Sequence, residues 1–294
     1  LGLTNPLDFL LSGSHTRFPR SATIRDSASL LNLIQNSRYV HRHLDWHQPL
    51  EWIGHEPFWL LENTYRVLAA LSIPPDPPGV AWIRLFACSD YVSVEEAWRT
   101  LLDKCIQSFR EQTVSIATIG LSTWIVKLLE SSQFEHYQDI VVLERNIPSD
   151  EAYHVEGITV RPVQEGDFAQ VLNVDNTAFE LIWRISEDEL RHAMKASKYT
   201  SVAIHEGKII GYQLSTGNPF SAHLARLAVL PEYQGHGIGY SLIQDLLAFF
   251  QRSGIPSITV NTQQTNHSSL HLYKKMGFQL TGETFPIFLR NLFG

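Results

Sequence analysis

The segment that most constrains this chain is Gln234-Gly235-His236-Gly237-Ile238-Gly239. Before it runs the apolar stretch Leu224-Ala225-Arg226-Leu227-Ala228-Val229, which reads as a strand. After it, Tyr240 to Phe250 has apolar residues at helical spacing and is ended near Gly254. A strand that turns through glycines into an amphipathic helix lets the backbone approach a ligand closely, with amides pointing inward. The helix N-terminus adds partial positive charge, so a pyrophosphate is the natural guest. Two other phosphate loops are excluded. A dinucleotide fingerprint needs glycine at position 240, which is Tyr240. A P-loop needs Gly-Lys-Ser/Thr, and no lysine follows here.

The surrounding elements come in an order that occurs twice. In the second half the pattern predicts a strand at Ile158–Arg161, a helix from Asp167 through Val174, and a hairpin of 200–205 with 208–214 about Glu206-Gly207. A strand at 257–261, a helix from Ser268 to Met276 and a strand from Phe278 follow the glycine segment. In the first half, Ser27 is placed as the cap of a helix through Ile34. Strands are expected at 58–62, 66–71 and 80–87, then a helix capped by Ser93, a strand at 114–119, a helix at 123–129 and a strand at 140–144. Leu85-Phe86-Ala87-Cys88-Ser89-Asp90-Tyr91 can be laid on Leu227-Ala228-Val229-Leu230-Pro231-Glu232-Tyr233, so the chain reads as a domain duplication. The polar, Pro- and Gly-bearing stretch before Ile158 sets the expected division: residues 1–147, a linker at 148–157, and residues 158–294.

Leu227 to Gly239 resembles the acetyl-CoA signature of the GNAT superfamily of acyl-CoA N-acyltransferases, Arg/Gln-x-x-Gly-x-Gly/Ala after an apolar-Pro-Glu-Tyr step. Asn266-His267-Ser268-Ser269-Leu270-His271-Leu272-Tyr273-Lys274-Lys275-Met276-Gly277-Phe278 resembles the family's second motif. The resemblance covers residues 158–290, and reaches residues 23–145 only through the repeat. It implies an α/β fold of two tandem GNAT-like domains, each a mixed, mostly antiparallel sheet flanked by helices. It also implies that the strand of Leu227, Ala228 and Val229 splays from the one near Ile258 and binds the pantetheine arm of acetyl-CoA. The Val229 amide would polarise the thioester carbonyl, as a preplaced donor does for an oxyanion. Gln234, Gly235, His236, Gly237, Ile238, Gly239 and Tyr240 would hold the pyrophosphate. Asn266 would contact the pantetheine, and Tyr273 would protonate the leaving thiolate. Asn266 and Tyr273 are two helical turns apart, which puts them on one face.

What the resemblance implies is transfer of an acetyl group to the primary amine of an acceptor by direct attack. The alternative is a non-catalytic module with the same fold that holds coenzyme A or a protein partner. Ribosomal-protein alanine N-acetyltransferases, similar to this half in layout, carry a Glu in the fifth strand, where Ser257 to Thr265 holds no acid. His223, at the entry to the fourth strand, is the candidate base. Glu180 stands near a substrate loop, and Glu232 belongs to the Pro-Glu-Tyr turn. In the first half the glycines are replaced by Ser89 to Ala97, where Glu95 and Glu96 would repel a pyrophosphate. That half is expected not to bind coenzyme A, but to buttress the other or wall the acceptor cleft.

Lys+Arg is 23 against Asp+Glu 30, a net charge of −7 that argues against a nucleic-acid partner and mildly favours an amine acceptor. With hydrophobic residues at 44% and charged residues at 18%, the chain is a core former. No stretch reaches bilayer-spanning length, and Leu1 to Pro6 lack the pattern of a signal peptide, so no membrane partner and a cytoplasmic location are expected. Cys88 and Cys105 sit in apolar patterns as buried thiols. His41, His43, Asp45 and His47 could be metal ligands, but Trp46, Pro49 and Trp52 beside them favour a packed segment, and no metal is expected.

Overall fold

The computed structural model describes residues 17–110, 112–147 and 157–292. The chain divides into two compact units, one drawn from residues up to Pro75 with Trp82–Val114, the other from Asp76–Ala81 and Ser115–Asn291.

The first unit holds strands β1 (Phe18–Ser21), β2 (Tyr39–Arg42), β3 (Phe58–Glu62), β4 (Val67–Ser72) and β6 (Leu85–Cys88), and helices α1 (Ser27–Asn36) and α2 (Val94–Ser108). Its sheet has the order β1-β3-β4-β6-β2. Asn63 makes the β3–β4 turn, its side-chain oxygen accepting from the amides of Tyr65 and Arg66. Helix α1 buries Leu30, Leu33 and Ile34 against Phe58, Leu60 and Leu85. Ser27 is the first residue of α1 rather than its cap, because Asp26 takes that position. Asp26 accepts from the Thr23 amide and from Arg20, and Arg20 holds its carboxyl well below the usual carboxylate range. Helix α2 begins as expected, with Ser93 accepting from the Glu96 amide, and packs Trp98 edge-on to Phe86.

The second unit is built on a nine-stranded sheet. Its strands are β5 (Val80–Trp82), β7 (Val114–Ile119), β8 (Glu135–Asn146), β9 (Thr159–Pro162), β10 (Tyr199–His205), β11 (Lys208–Gly217), β12 (Ala222–Val229), β13 (Ser257–Gln263) and β14 (Gln279–Leu292). Their order is β5-β7-β14-β8-β13-β12-β11-β10-β9. Helices α3 (Thr123–Glu130), α4 (Phe168–Ala178), α5 (Glu187–Ala196), α6 (Ile238–Arg252) and α7 (His267–Lys275) complete the unit. Helix α6 turns Ile243, Leu246, Leu247 and Phe250 onto Leu224, Ile258 and Val260, each burial worth about 1.5–3 kcal/mol.

Two further expectations differ from the structure. The strand expected over 80–87 breaks: β5 joins the nine-stranded sheet and β6 the five-stranded one. Between them Arg84 is buried in an ion pair with Asp45 at 2.9 Å. The second concerns the division at residue 147. Strand β8 precedes the expected linker, yet lies between β13 and β14, antiparallel to both. Val141 and Leu143 of β8 belong to the core of the second unit, and Arg145 donates to the carbonyl of Met276. The compact units follow these sheets, so Ser115 to Asn146 group with the second unit. Except for Gly157, the expected linker lies outside the described residues.

A fragment of residues 158–294 therefore lacks the strand that fills the middle of its sheet. It is expected to show no cooperative unfolding transition. In the full chain, Leu143→Ala is expected to cost about 2–5 kcal/mol. Denaturant titration followed by circular dichroism checks both, and a fragment that melts cooperatively would show that β8 is dispensable.

Candidate functional site

The site begins where one strand loses a neighbour. β12 pairs with β11 from Ala222 to Val229, but with β13 only at Ala222, His223 and Leu224, in parallel. Beyond Leu224 the two strands fork. The Leu230 amide donates to the Ile210 carbonyl on the β11 side. Alternation along the strand then turns the N–H and C=O groups of Leu227 and Val229 to the open edge. The Val229 carbonyl is taken by the side-chain amide of Gln234 at 3.0 Å. Both Val229 and Leu227 thus present an N–H in the fork. Ala228, between them, is buried and turns its N–H and C=O toward β11.

The glycine turn carries the chain from this edge into α6. Gly235 and Gly237 have φ of 80° and 81°, left-handed values that a side chain would strain. Gly237 is the N-cap, and Ser241 makes the first helical bond to its carbonyl. The amides of Gly237, Ile238, Gly239 and Tyr240 have no carbonyl a turn back to receive them. No acidic residue stands in this first turn. At Gly239 a Cβ would come within 3.0 Å of the Leu272 methyl, so that glycine lets α7 approach α6. His236 points its Nδ1 back at the Gln234 carbonyl. Lys275 stands 5.5 Å from the Tyr240 ring.

Asn266 is the N-cap of α7: its side-chain oxygen accepts from the Ser269 amide at 3.1 Å. It precedes the helix, so the shared-face spacing with Tyr273 does not describe it. Its NH₂ group lies 3.4 Å from Gln263 Oε1. Tyr273 is buried against Phe278, and burial pushes its phenol well above the usual value.

His223 lies one residue before the fork and is the register partner of Thr259. Ala222 and Leu224 face the α6 core, which puts His223 on the opposite face of β12. Burial lowers its pKa below the ordinary imidazole value, so the ring is neutral at pH 7. Its Nδ1 is 2.8 Å from Thr259 Oγ1. With Thr216, Asn218, Ser221 and Thr259 it lines an open pocket of about 250 Å³. On that same face Arg226 reaches Asp175 of α4 at 2.6 Å, the Trp183 carbonyl at 3.0 Å and the Tyr212 hydroxyl at 3.2 Å. Tyr212 donates to the same Asp175 oxygen. This buried group clamps the forked strand to α4. The sequence signal for it is a charged residue at each of two positions inside apolar periodic patterns. Glu180 caps a short turn through its carbonyl, and Glu232 makes an exposed pair with Lys208 at 3.7 Å.

The first unit shows the opposite arrangement. β6, which the repeat lays on Leu227 to Leu230, is paired on both edges, with β4 on one side and β2 on the other. Residues Tyr39 to Arg42 thus close the edge that is open in the second unit. The start of α2 is closed as well, with Ser93 on the Glu96 amide and Glu95 and Glu96 in the first turn. His41 is buried on β2, with its pKa lowered to about 4 by burial. His43 stacks on Trp82, Asp45 pairs with Arg84, and His47 lies against Trp52. Burial raises the pKa of both cysteines, Cys88 to about 12, which makes them poor nucleophiles.

A strand forked from its neighbour, followed by a glycine turn into an amphipathic helix, defines the class. Residues 168–278 match the Acetyltransferase (GNAT) family and form a domain of it. N-acetyltransferase family 8 member 3 of Mus musculus is 35% identical over 69 residues, which are 24% of this chain and 30% of that protein. N-alpha-acetyltransferase RimI of Mycobacterium tuberculosis is 38% identical over 80 residues, 26% of this chain and 49% of that one. The matches thus span half or less of these relatives' length. A solved tandem GNAT protein from the clavulanic acid biosynthesis pathway aligns over 94% of this chain and 98% of its own, with a TM-score of 0.62 at 13% identity. The tandem GNAT fold therefore extends over both halves. Among the described residues no helix is long and apolar enough to cross a membrane.

Asp175→Ala would leave Arg226 buried without its carboxylate and is expected to cost about 3–5 kcal/mol. Glu232→Ala, which breaks an exposed pair, should cost about 0–1 kcal/mol. Denaturant unfolding distinguishes these, and equal costs would mean that the Arg226 clamp is not structural.

Proposed function

We propose that the second unit transfers an acetyl group from acetyl-CoA to a primary amine, by direct attack in a ternary complex. The observation that carries this reading is the open edge of β12 leading into an uncapped, acid-free helix start. The pantetheine arm would add to that edge as a strand does, with the pyrophosphate over Gly235 to Tyr240. The Val229 amide, and the Leu227 amide beside it, would donate to the thioester oxygen as negative charge develops there. His223 would take the proton from the attacking nitrogen. As the carbon–sulfur bond breaks, Tyr273 would give its phenolic proton to the sulfur and regain one from solvent. The two proton-transfer groups lie on opposite sides of the forked strands, which suits an amine entering at one face and a thiol leaving at the other. Among the described residues no cysteine or serine stands in a left-handed turn, which favours direct attack over an acyl-enzyme. The first unit, with its edge closed by β2, would bind no second acetyl-CoA.

Calorimetry should give about one acetyl-CoA per chain and none for Gly237→Glu. Retained affinity in that variant would remove the pyrophosphate from this turn. An acceptor panel of an alanine-initiated peptide, a lysine peptide, spermidine and glucosamine, followed by free thiol, would identify the amine class.

Tyr273→Phe should keep acetyl-CoA affinity near wild type and cut turnover at least about tenfold. Because burial lowers the His223 pKa, kcat should hold as pH falls to about 6.5 and decline only below that. Unchanged turnover in Tyr273→Phe would contradict the acid, and a kcat limb above the ordinary imidazole value would contradict the base.

A further inference from the structure

Thr259 stands at the fork with one proton and two neighbours. Its Oγ1 lies 2.8 Å from His223 Nδ1 and 3.4 Å from the Ala222 carbonyl oxygen. A carbonyl only accepts, so the second contact uses the hydroxyl proton. With the hydroxyl proton turned to Ala222, Oγ1 is left to accept from Nδ1–H in the shorter contact. Among the described residues, Nε2 of His223 has no hydrogen-bond partner. We infer that Thr259 is a positioning residue: it fixes His223 as the Nδ1–H tautomer and leaves the lone pair on Nε2, the nitrogen available to the pocket of Thr216, Asn218 and Ser221. This rests on the reading of His223 as the base and specifies which of its nitrogens does the work. Free imidazole favours the opposite tautomer, so the arrangement is one the protein must impose. The partner of one ring nitrogen decides what the other can do. The β12–β13 register supplies that partner, since parallel pairing sets His223 opposite Thr259 on one face. The same register seats both one residue before the strands part. The proton path is short: the amine nitrogen gives its proton to Nε2, the nitrogen pair attacks the thioester carbon, and the imidazolium is held at Nδ1–H by Thr259.

The test is nitrogen NMR of the full chain labelled with ¹⁵N at histidine and loaded with acetyl-CoA, with the His223 signals assigned from their loss in His223→Gln. At pH 7.5 the wild type should show a protonated Nδ1 and an unprotonated Nε2. Thr259→Ser should keep that pattern, and Thr259→Val should move it toward Nε2–H. With the best acceptor of the panel, Thr259→Val should lower kcat at least about tenfold while the KM for acetyl-CoA stays within about twofold. Thr259→Ser should recover most of the loss. A dominant Nε2–H form in the wild type would overturn the inference. Thr259→Val as active as wild type, beside a slow His223→Gln, would overturn the positioning role and leave the base intact. His223→Gln as active as wild type would remove the base, and with it any work for Thr259 to do.

Discussion

The structure of the second unit depends on how little β12 and β13 share. Three residues of parallel pairing hold them together, and after Leu224 they part. β12 stays fixed because β11 holds its other edge throughout and Arg226 ties it to Asp175. β13 stays fixed because β8 pairs it from Ser257 to Gln263. A fork between two strands would otherwise close, since unpaired backbone groups in an apolar setting cost free energy. Here each strand is held from outside, so the gap persists with its polar groups exposed to whatever enters.

The two units give different answers to the same open edge. In the second, Leu227 and Val229 keep their N–H groups free and glycines clear the way to α6. In the first, β2 takes up the corresponding edge of β6, and Ser93 satisfies the start of α2. An internal strand is tethered to its site, so it outcompetes a dissolved ligand for the same backbone groups. The substitutions at Ser89 to Ala97 and the His- and Trp-rich stretch after Tyr39 are thus two parts of one change. One removes the glycine turn, and the other fills the strand edge. Buried His41 and His43 and the Arg84–Asp45 pair then belong to packing around the filled edge.

Much of this was legible in the sequence because it is local. The glycine segment reads as a turn from strand into helix, and that turn is found, with Gly235 and Gly237 in left-handed backbone. The periods of α2, α6, β7 and the hairpin of 200–205 with 208–214 match the elements found, with ends shifted by up to three residues. What failed was non-local. The alternation of Ile140 to Leu143 marks a strand but not its neighbour, so the seat of β8 between β13 and β14 could not be read. The pattern at 80–87 is continuous, and nothing in it marks the break at Ile83 and Arg84. The short β2 hides in a segment with no clean period, because an edge strand packed by histidines has no apolar alternation. Asn266 carries the motif expected of it, yet the helix starts after it and turns its oxygen into a cap. Thr259 reads in the sequence as an ordinary strand residue, since its meaning depends on His223, 36 positions away.

The open edge lies on β12, while β6 is paired on both sides. Hydrogen exchange read by mass spectrometry tests it directly, with and without saturating acetyl-CoA. Exchange is expected to slow in peptides covering 225–241 and to stay unchanged in peptides covering 83–97. Protection in 83–97, or none in 225–241 at saturation, would contradict it.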